Sequence, residues 1–144
     1  MFDTIILALD GSPRSEAAVD VVAELAPDGA QVIAVHVKTH ARETEQDALI
    51  ETQLARLRGA GVAVELERGS TVVGDEANVI ARIARRRDGK LIVATTRGHS
   101  PLSGVLVGSV TQRLLHVAHC PVLVTPPADA VVEAAAPEAA EVAR

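Results

Sequence analysis

Apolar and polar residues follow each other in blocks that predict five β-strands within the first 126 residues. Four short runs rich in branched apolar residues, Asp3 to Leu9, Gln31 to Val37, Leu91 to Ala94 and Val122 to Val124, are typical of strands buried on both faces of a parallel sheet. A further segment, Val62 to Glu67, alternates apolar and polar residues. This alternation indicates a strand at an edge of the sheet.

Segments with helical spacing separate these strands and predict four helices. The first follows Ser12-Pro13, the second spans roughly Arg42 to Arg58, the third follows Asp75, and the fourth begins at Gly108-Ser109. Ser12 and Asp75 are residue types that favour the N-cap position. Because strands alternate with helices, the chain is predicted to form a doubly wound α/β domain with a five-stranded parallel sheet and right-handed crossovers.

The composition changes after residue 126. Residues 127 to 144 are dominated by Ala, Glu and Pro. Such a segment offers few side chains that could be buried in a core, so we expect a flexible extension. The predicted domain therefore occupies residues 1 to 126.

Composition and charge exclude several classes of function. The net charge of −5 argues against nucleic-acid binding, which needs a basic surface. No apolar run approaches the roughly 20 residues of a membrane-spanning helix, so we expect a soluble protein with no membrane partner. The lone Cys120 cannot form an internal disulfide, and no cleavable signal pattern is present. Both features predict a cytoplasmic location.

The segment from Leu91 to Val124 contains the most informative pattern. Gly98 follows a predicted strand, and Gly108 immediately precedes a predicted helix. Glycines at these places let backbone N–H groups approach an anion, which the positive end of the helix dipole also attracts. Ser109 and Thr111 add hydroxyl groups. The pattern indicates a phosphate site, with the alternative that Gly108 is only a loop glycine and Ser109 an ordinary N-cap.

These residues resemble the nucleotide-loop signature of the universal stress proteins. In that family the signature is Gly, two residues, Gly, nine residues, Gly, and then Ser or Thr. Gly98, Gly108 and Ser109 match three of its positions, whereas Thr95 replaces the first glycine. The N-terminal run from Ile5 to Ser12 also resembles the first strand of the family and the aspartate that follows it.

The resemblance implies a Rossmann-like sheet of the adenine nucleotide alpha hydrolase type, with strand order 3-2-1-4-5. This order reverses between strands one and four, and ligands bind at such a point outside the carboxyl ends of the strands. The resemblance places Asp10 near base and ribose and the Val37 backbone at the adenine edge. Without it, Asp10 could equally be a turn aspartate and Val37 a core valine. The implied binding residues are Ala8, Asp10, Val37, Thr95, Arg97, Gly98, Gly108, Ser109, Val110 and Thr111.

We therefore interpret the chain as a regulatory stress-response module that binds an adenine nucleotide. ATP is the expected ligand, with AMP or cyclic AMP as alternatives and Mg²⁺ as a companion of ATP. No lysine follows the glycines in the manner of a P-loop, which argues against catalysis. His116, His119 and Cys120 lack a fourth ligand for zinc, so we expect no metal site.

Two alternatives remain, and the first involves the departure from the signature. The β-branched Thr95 could crowd the nucleotide or hydrogen-bond to it, where glycine would let the backbone approach. One alternative is a nucleotide-free interaction module in which Thr95 closes the site; the other is a slow ATP hydrolase. The resemblance also implies a homodimer, in which the edge strand Val122 to Val124 pairs with its copy in a second chain.

Overall fold

The computed structural model describes residues 2–38, 43–72, 74–96, 98–100, 104–106 and 108–127. In chain order the strands are β1 (Thr4–Ala8), β2 (Gln31–Lys38), β3 (Ala63–Ser70), β4 (Leu91–Thr95), β5 (Gly98–Ser100), β6 (Gly104–Leu106) and β7 (Val122–Thr125). The helices are α1 (Glu16–Leu25), α2 (Glu43–Gly59), α3 (Glu76–Arg86) and α4 (Ser109–Val117), with a short 3-10 turn at Pro13–Ser15 before α1. The tail that was predicted to be flexible starts at residue 127, and its residues after Pro127 lie outside the described part of the chain.

The main sheet has the order β3-β2-β1-β4-β7, and its strands are parallel. The predicted order 3-2-1-4-5 is confirmed, with β7 as the fifth strand. β1 lies at the centre, where Ile5 is aligned with Val32 of β2 and Leu91 of β4. The chain leaves β1 toward β2 on one side and later enters β4 on the other, so the reversal point lies beyond Ala8.

Apolar layers cover both faces of the sheet, which explains why the strands lack a regular alternation of apolar and polar residues. Ile5 and Leu7 of β1 pack toward α1 and α2, whereas Ile6 packs toward α3 and α4. In α2, the residues Ile50 and Leu54, spaced by one helical turn, are fully or almost fully buried. None of the described helices is long and apolar enough to cross a membrane.

A two-stranded hairpin that the sequence pattern did not predict interrupts the loop between β4 and α4. β5 and β6 pair antiparallel, with Gly98 opposite Leu106. Each strand has three residues, too few to show a recognisable alternation of apolar and polar positions. The edge strand β3 also continues to Ser70, beyond the predicted end at Glu67.

Ser12 and Asp75 precede helical segments as predicted, but the prediction that their side chains cap the helices is wrong. The Ser12 hydroxyl donates to Asp10 Oδ1 at 2.6 Å. Asp75 Oδ1 accepts from Asn78 Nδ2 at 2.5 Å. In both places the side-chain oxygen that would otherwise accept from a backbone N–H forms a hydrogen bond with another side chain instead.

Candidate functional site

A cavity of about 550 Å³ lies beyond the carboxyl ends of β1, β2 and β4, at the reversal point of the sheet. The starts of α3 and α4 close its other side, and Gln46 of α2 also contributes to the wall. Eight of the predicted binding residues line this one cavity: Ala8, Asp10, Val37, Thr95, Gly108, Ser109, Val110 and Thr111. The strand order thus brings together residues that are up to about one hundred positions apart.

Arg97 lies outside the described residues, and for Gly98, the first residue of β5, only the backbone is described. Their binding roles stay predictions. The structure brings together in one cavity the predicted residues at the ends of β1, β2 and β4 and at the start of α4.

Asp10 accepts three hydrogen bonds on one carboxylate oxygen. Oδ1 accepts from the Ser12 N–H at 2.9 Å, from the Ser12 hydroxyl at 2.6 Å and from the Ser15 hydroxyl at 2.8 Å. Oδ2 lies 3.8 Å from the Arg14 guanidinium, and the Asp10 side chain keeps 56% of its exposure. The first oxygen holds the loop, and the second, beside Arg14, accepts no hydrogen bond from the described residues and can accept one from a ligand hydroxyl.

These contacts change the acidity of Asp10. Burial acts to raise its pKa, but the hydrogen bonds from Ser12 and Ser15 and the positive charge of Arg14 outweigh that effect. The pKa of Asp10 is consequently below its ordinary value of 3.8. At neutral pH the group is an ionised carboxylate, which can only accept hydrogen bonds.

We expect the lowered pKa to appear as a pH-dependent contribution to stability. Because the folded-state pKa is below the unfolded value, ionised Asp10 stabilises the fold above that value, and this contribution is lost as the pH falls through the folded pKa. The difference in unfolding free energy between wild type and Asp10→Asn should stay constant from about pH 7 to 5 and shrink below about pH 4. Urea denaturation across this range measures it, with the exposed Asp28→Asn as the control; a constant difference down to about pH 2 would contradict the assignment.

The backbone of Val37 faces the space beyond the end of β1. The Leu9 N–H donates to the Val35 carbonyl at 2.9 Å, which is the last such contact between this segment and β2. Backbone groups of residues two apart in a strand point to the same side, so the N–H and carbonyl of Val37 point toward the cavity. Its side chain packs against the α3 layer of the core. A core role for the side chain and a binding role for the backbone are therefore compatible.

His36 is a cavity residue that the sequence did not identify as functional. It is 2% exposed, and its Nδ1 lies 2.9 Å from the Leu9 carbonyl. A carbonyl only accepts, so Nδ1 carries the proton and donates. Within the described part of the chain, Nε2 has no hydrogen-bond partner. His36 thus holds the loop that contains Asp10, through a contact between positions too distant in sequence for any local pattern to reveal.

The start of α4 has the properties expected of an anion site. Gly108 occupies the N-cap position with φ −64° and ψ 161°, and no side chain caps the helix there. The first N–H groups of a helix have no intrahelical partners. Here the residues of this first turn, Gly108 to Thr111, line the cavity. Ser109 is exposed, whereas the buried Thr111 donates from Oγ1 to the Thr95 carbonyl at 3.3 Å. Of the two predicted hydroxyl donors, Ser109 remains accessible and Thr111 ties α4 to β4.

Thr95 directs its hydroxyl toward β7. Its Oγ1 lies 3.3 Å from Oγ1 of Thr125, which in turn donates to the Ala94 carbonyl at 3.4 Å. The Thr125 proton is engaged by that carbonyl, so Thr95 is the donor of the pair. The hydroxyl of Thr95 therefore has a protein partner, while the residue still lines the cavity.

The sulfur and carboxylate groups of the described residues do not form a metal site. No group of three or more His, Cys, Asp or Glu side chains is arranged to hold a metal ion within the described ranges. Burial raises the pKa of the Cys120 thiol more than the charge of Lys90 lowers it. The thiol is therefore protonated at neutral pH, and a protonated thiol is a poor ligand and nucleophile.

Comparison with known proteins finds relatives that match most of the chain. The chain is 31% identical over 134 residues to a universal stress protein from Thermus aquaticus, covering 85% of this chain and 98% of the relative. Three other curated relatives are longer, and the chain spans 44% of the length of each.

Two solved structures share the fold. One is a universal stress protein in complex with cAMP, with 22% identity, a TM-score of 0.69, and coverage of 88% of this chain and 98% of that one. The other is a universal stress protein family protein from Arabidopsis thaliana with AMP bound, with 19% identity, a TM-score of 0.65, and coverage of 88% and 93%. The model of the universal stress protein family matches residues 1–126. The chain belongs to the universal stress protein family.

Proposed function

We propose that the cavity binds an adenine nucleotide and that the protein regulates a stress response through its liganded state. The supporting observation is that three kinds of recognition group meet in one cavity: the Asp10 carboxylate, the Val37 backbone and the first turn of α4. They suit ribose hydroxyls, a base edge and a phosphate respectively. A volume of about 550 Å³ also falls in the usual range for small-molecule sites.

The ligands of the related structures support the same proposal. Proteins with this fold hold cAMP in one structure and AMP in another. Among adenine nucleotides we propose ATP as the natural ligand, as the family resemblance implies, with Mg²⁺ bound alongside its phosphates. Regulation then requires that the nucleotide bind one conformation or assembly better than another.

The direct test is the thermal melting temperature of the protein titrated with ATP, ADP, AMP and cyclic AMP, with and without Mg²⁺. A ligand at 100 times its dissociation constant stabilises the fold by about 2.7 kcal/mol. For a chain of this size the expected rise in melting temperature is roughly 5 to 10 °C. GTP and CTP serve as controls for the base. No shift with any adenine nucleotide would refute the proposal.

Thr95 motivates the second candidate, a nucleotide-free interaction module. Thr95 lines the cavity at the position where the family signature has glycine, and its side chain is branched. If that side chain closes the site, the protein acts through its surface and no nucleotide stabilises it. The titration above separates the two candidates.

We expect Thr95→Gly to bind ATP more tightly than wild type, by about tenfold, because it removes a crowding side chain. The same change should cost roughly 1 kcal/mol of stability, since glycine is unfavourable within a strand. Isothermal titration calorimetry measures the affinity. Thr95→Ser keeps the hydroxyl that donates to Thr125 and should give an intermediate affinity. Unchanged or weaker ATP binding by Thr95→Gly would show that Thr95 does not crowd the ligand.

We also propose that the protein is a homodimer through β7. This strand is the last in the order of the main sheet and pairs with β4 along one edge. Leu123 of β7 is 37% exposed, and Leu115 of α4 is 55% exposed. An unpaired, apolar edge strand favours pairing with another chain.

Val124→Pro is expected to convert the dimer to a monomer. The carbonyls of Pro121 and Thr125 accept from β4, so the backbone groups of Leu123 also face β4, and those of Val124 face the outer edge. Proline at position 124 thus removes a donor from the outer edge and leaves the pairing with β4. Light scattering at micromolar concentration measures the change, with Val124→Ala as the control. A variant that remains dimeric would exclude this interface.

The cellular location and the domain boundary are proposed on narrower grounds. The lone Cys120 suits the reducing cytoplasm. The family match over residues 1–126 supports a single domain that ends there, followed by a flexible extension over residues 127–144.

A further inference from the structure

The cavity contains a second carboxylate, Glu76, to which neither the sequence pattern nor the family resemblance assigned a role. Glu76 is the first residue of α3 and lines the cavity together with Ile80. Residues four apart lie on the same face of a helix, so Glu76 lies one turn before the buried Ile80 on the face of α3 that lines the cavity. Val37, which packs against the core cluster that contains Ile80, also lines the cavity.

The position of the Glu76 side chain is held by the loop before α3. Its Oε1 accepts from the Gly74 N–H at 2.7 Å. Among the described residues, Oε2 has no hydrogen-bond partner. A carboxylate can only accept, so the second oxygen can accept from a donor on a ligand in the cavity that Glu76 lines.

The charges along the cavity define an orientation for an anionic ligand. The first turn of α4 attracts the negative group, while the carboxylates of Asp10 and Glu76 accept donors, and Arg14, which also lines the cavity, offsets part of the charge of Asp10. Asp10 belongs to the loop after β1 and suits sugar hydroxyls. Glu76, on α3, lines the same cavity as Val37, where the base edge is expected. The part of the base that faces Glu76 must therefore carry a donor.

We propose that Glu76 is a specificity-determining residue that selects a purine with an exocyclic amine at carbon 6; this inference rests on the proposed nucleotide site. A primary amine has two N–H groups, so one can donate to the Val37 carbonyl and the other to Glu76 Oε2. A purine with a carbonyl at that carbon would place one acceptor against another. Two acceptors that face each other lower the affinity for the wrong ligand more than the loss of one hydrogen bond does.

The test compares AMP with inosine monophosphate, which carries the carbonyl, by calorimetry on wild type and Glu76→Gln. Glutamine keeps an oxygen that can accept from the Gly74 N–H, and it replaces the second acceptor by a donor. Wild type should prefer AMP, and Glu76→Gln should lower the ratio of the two affinities by about tenfold, the usual effect of one charge-assisted hydrogen bond. Glu51→Gln, an exposed change of the same charge on α2, should leave the ratio unaltered.

The outcomes separate this inference from the proposed function. If Glu76→Gln binds both ligands with the wild-type ratio, the role of Glu76 is overturned and the nucleotide site stands. If wild type binds neither ligand, the proposed function itself fails. Should Glu76→Gln be unfolded by circular dichroism, Glu76→Asp replaces it. That variant withdraws the carboxylate by one carbon and should also lower the ratio, and an unchanged ratio would overturn the inference.

Discussion

Gly11→Ala is expected to lower the free energy of unfolding by about 2 to 5 kcal/mol. Gly11 has φ +77°, and a Cβ added there would lie 2.6 Å from Gln46 Cβ and 3.2 Å from Gln46 Cα. The left-handed conformation costs a non-glycine residue about 1 to 2 kcal/mol. Overpacking against α2 adds about 1 to 3 kcal/mol, because a helix backbone cannot move aside as a side-chain tip can.

Gly61→Ala is the matched control for the conformational part of this cost. Gly61 has φ +85°, and an added Cβ would meet no atom within 4 Å. Its substitution should therefore cost only about 1 to 2 kcal/mol. Urea denaturation of both variants gives the difference, which measures the contact between Gly11 and α2. Equal losses for the two variants would show that α2 does not restrict this loop.

Gly108→Asp is expected to weaken ATP binding by at least about tenfold while slightly stabilising the fold. With φ −64° and ψ 161°, the N-cap position of α4 accepts any residue. Aspartate there caps the helix and interacts favourably with its dipole, for a gain of a few tenths of a kcal/mol. The same charge repels a phosphate by roughly 1 to 4 kcal/mol at contact distance.

The opposite signs of these two effects make the result diagnostic. A loss of binding with a lower melting temperature would indicate a damaged fold, whereas a loss with an unchanged or higher one indicates charge at the phosphate site. Gly108→Ser caps the helix without a charge and should retain binding within about threefold. The melting temperature without ligand and calorimetry with ATP give both quantities. Tight ATP binding by Gly108→Asp would exclude the start of α4 as the phosphate site.

The elements that the sequence predicted correctly are those whose signals are local. Runs such as Ile5 to Leu7 and Leu91 to Ala94 are apolar without alternation because both faces of their strands are buried. The spacing of Ile50, Leu54 and Leu57 identified the buried face of α2. Gly108 and Ser109 marked the start of α4 within one residue. These features depend on neighbours within a few positions, so a pattern along the chain suffices.

The missed features depend on partners that are distant in sequence. Ser12 is the exception, because it was predicted to cap a helix but the Asp10 carboxylate, two positions away, binds its hydroxyl. Glu76 was unremarkable along the chain, and only the packing of α3 beside β2 brings it to the cavity. In the same way, His36 became part of the site because β1 and β2 are adjacent.

By itself, the sequence determined an α/β fold with a buried parallel sheet, and its glycine pattern pointed to an anion near the start of α4. Periodicity and backbone freedom are properties of the chain that no tertiary contact has to supply. Only the tertiary structure decided which residues share the cavity and where the Thr95 hydroxyl points. Each of these depends on contacts between strands and helices far apart in the chain, and such contacts form only when the sheet is assembled.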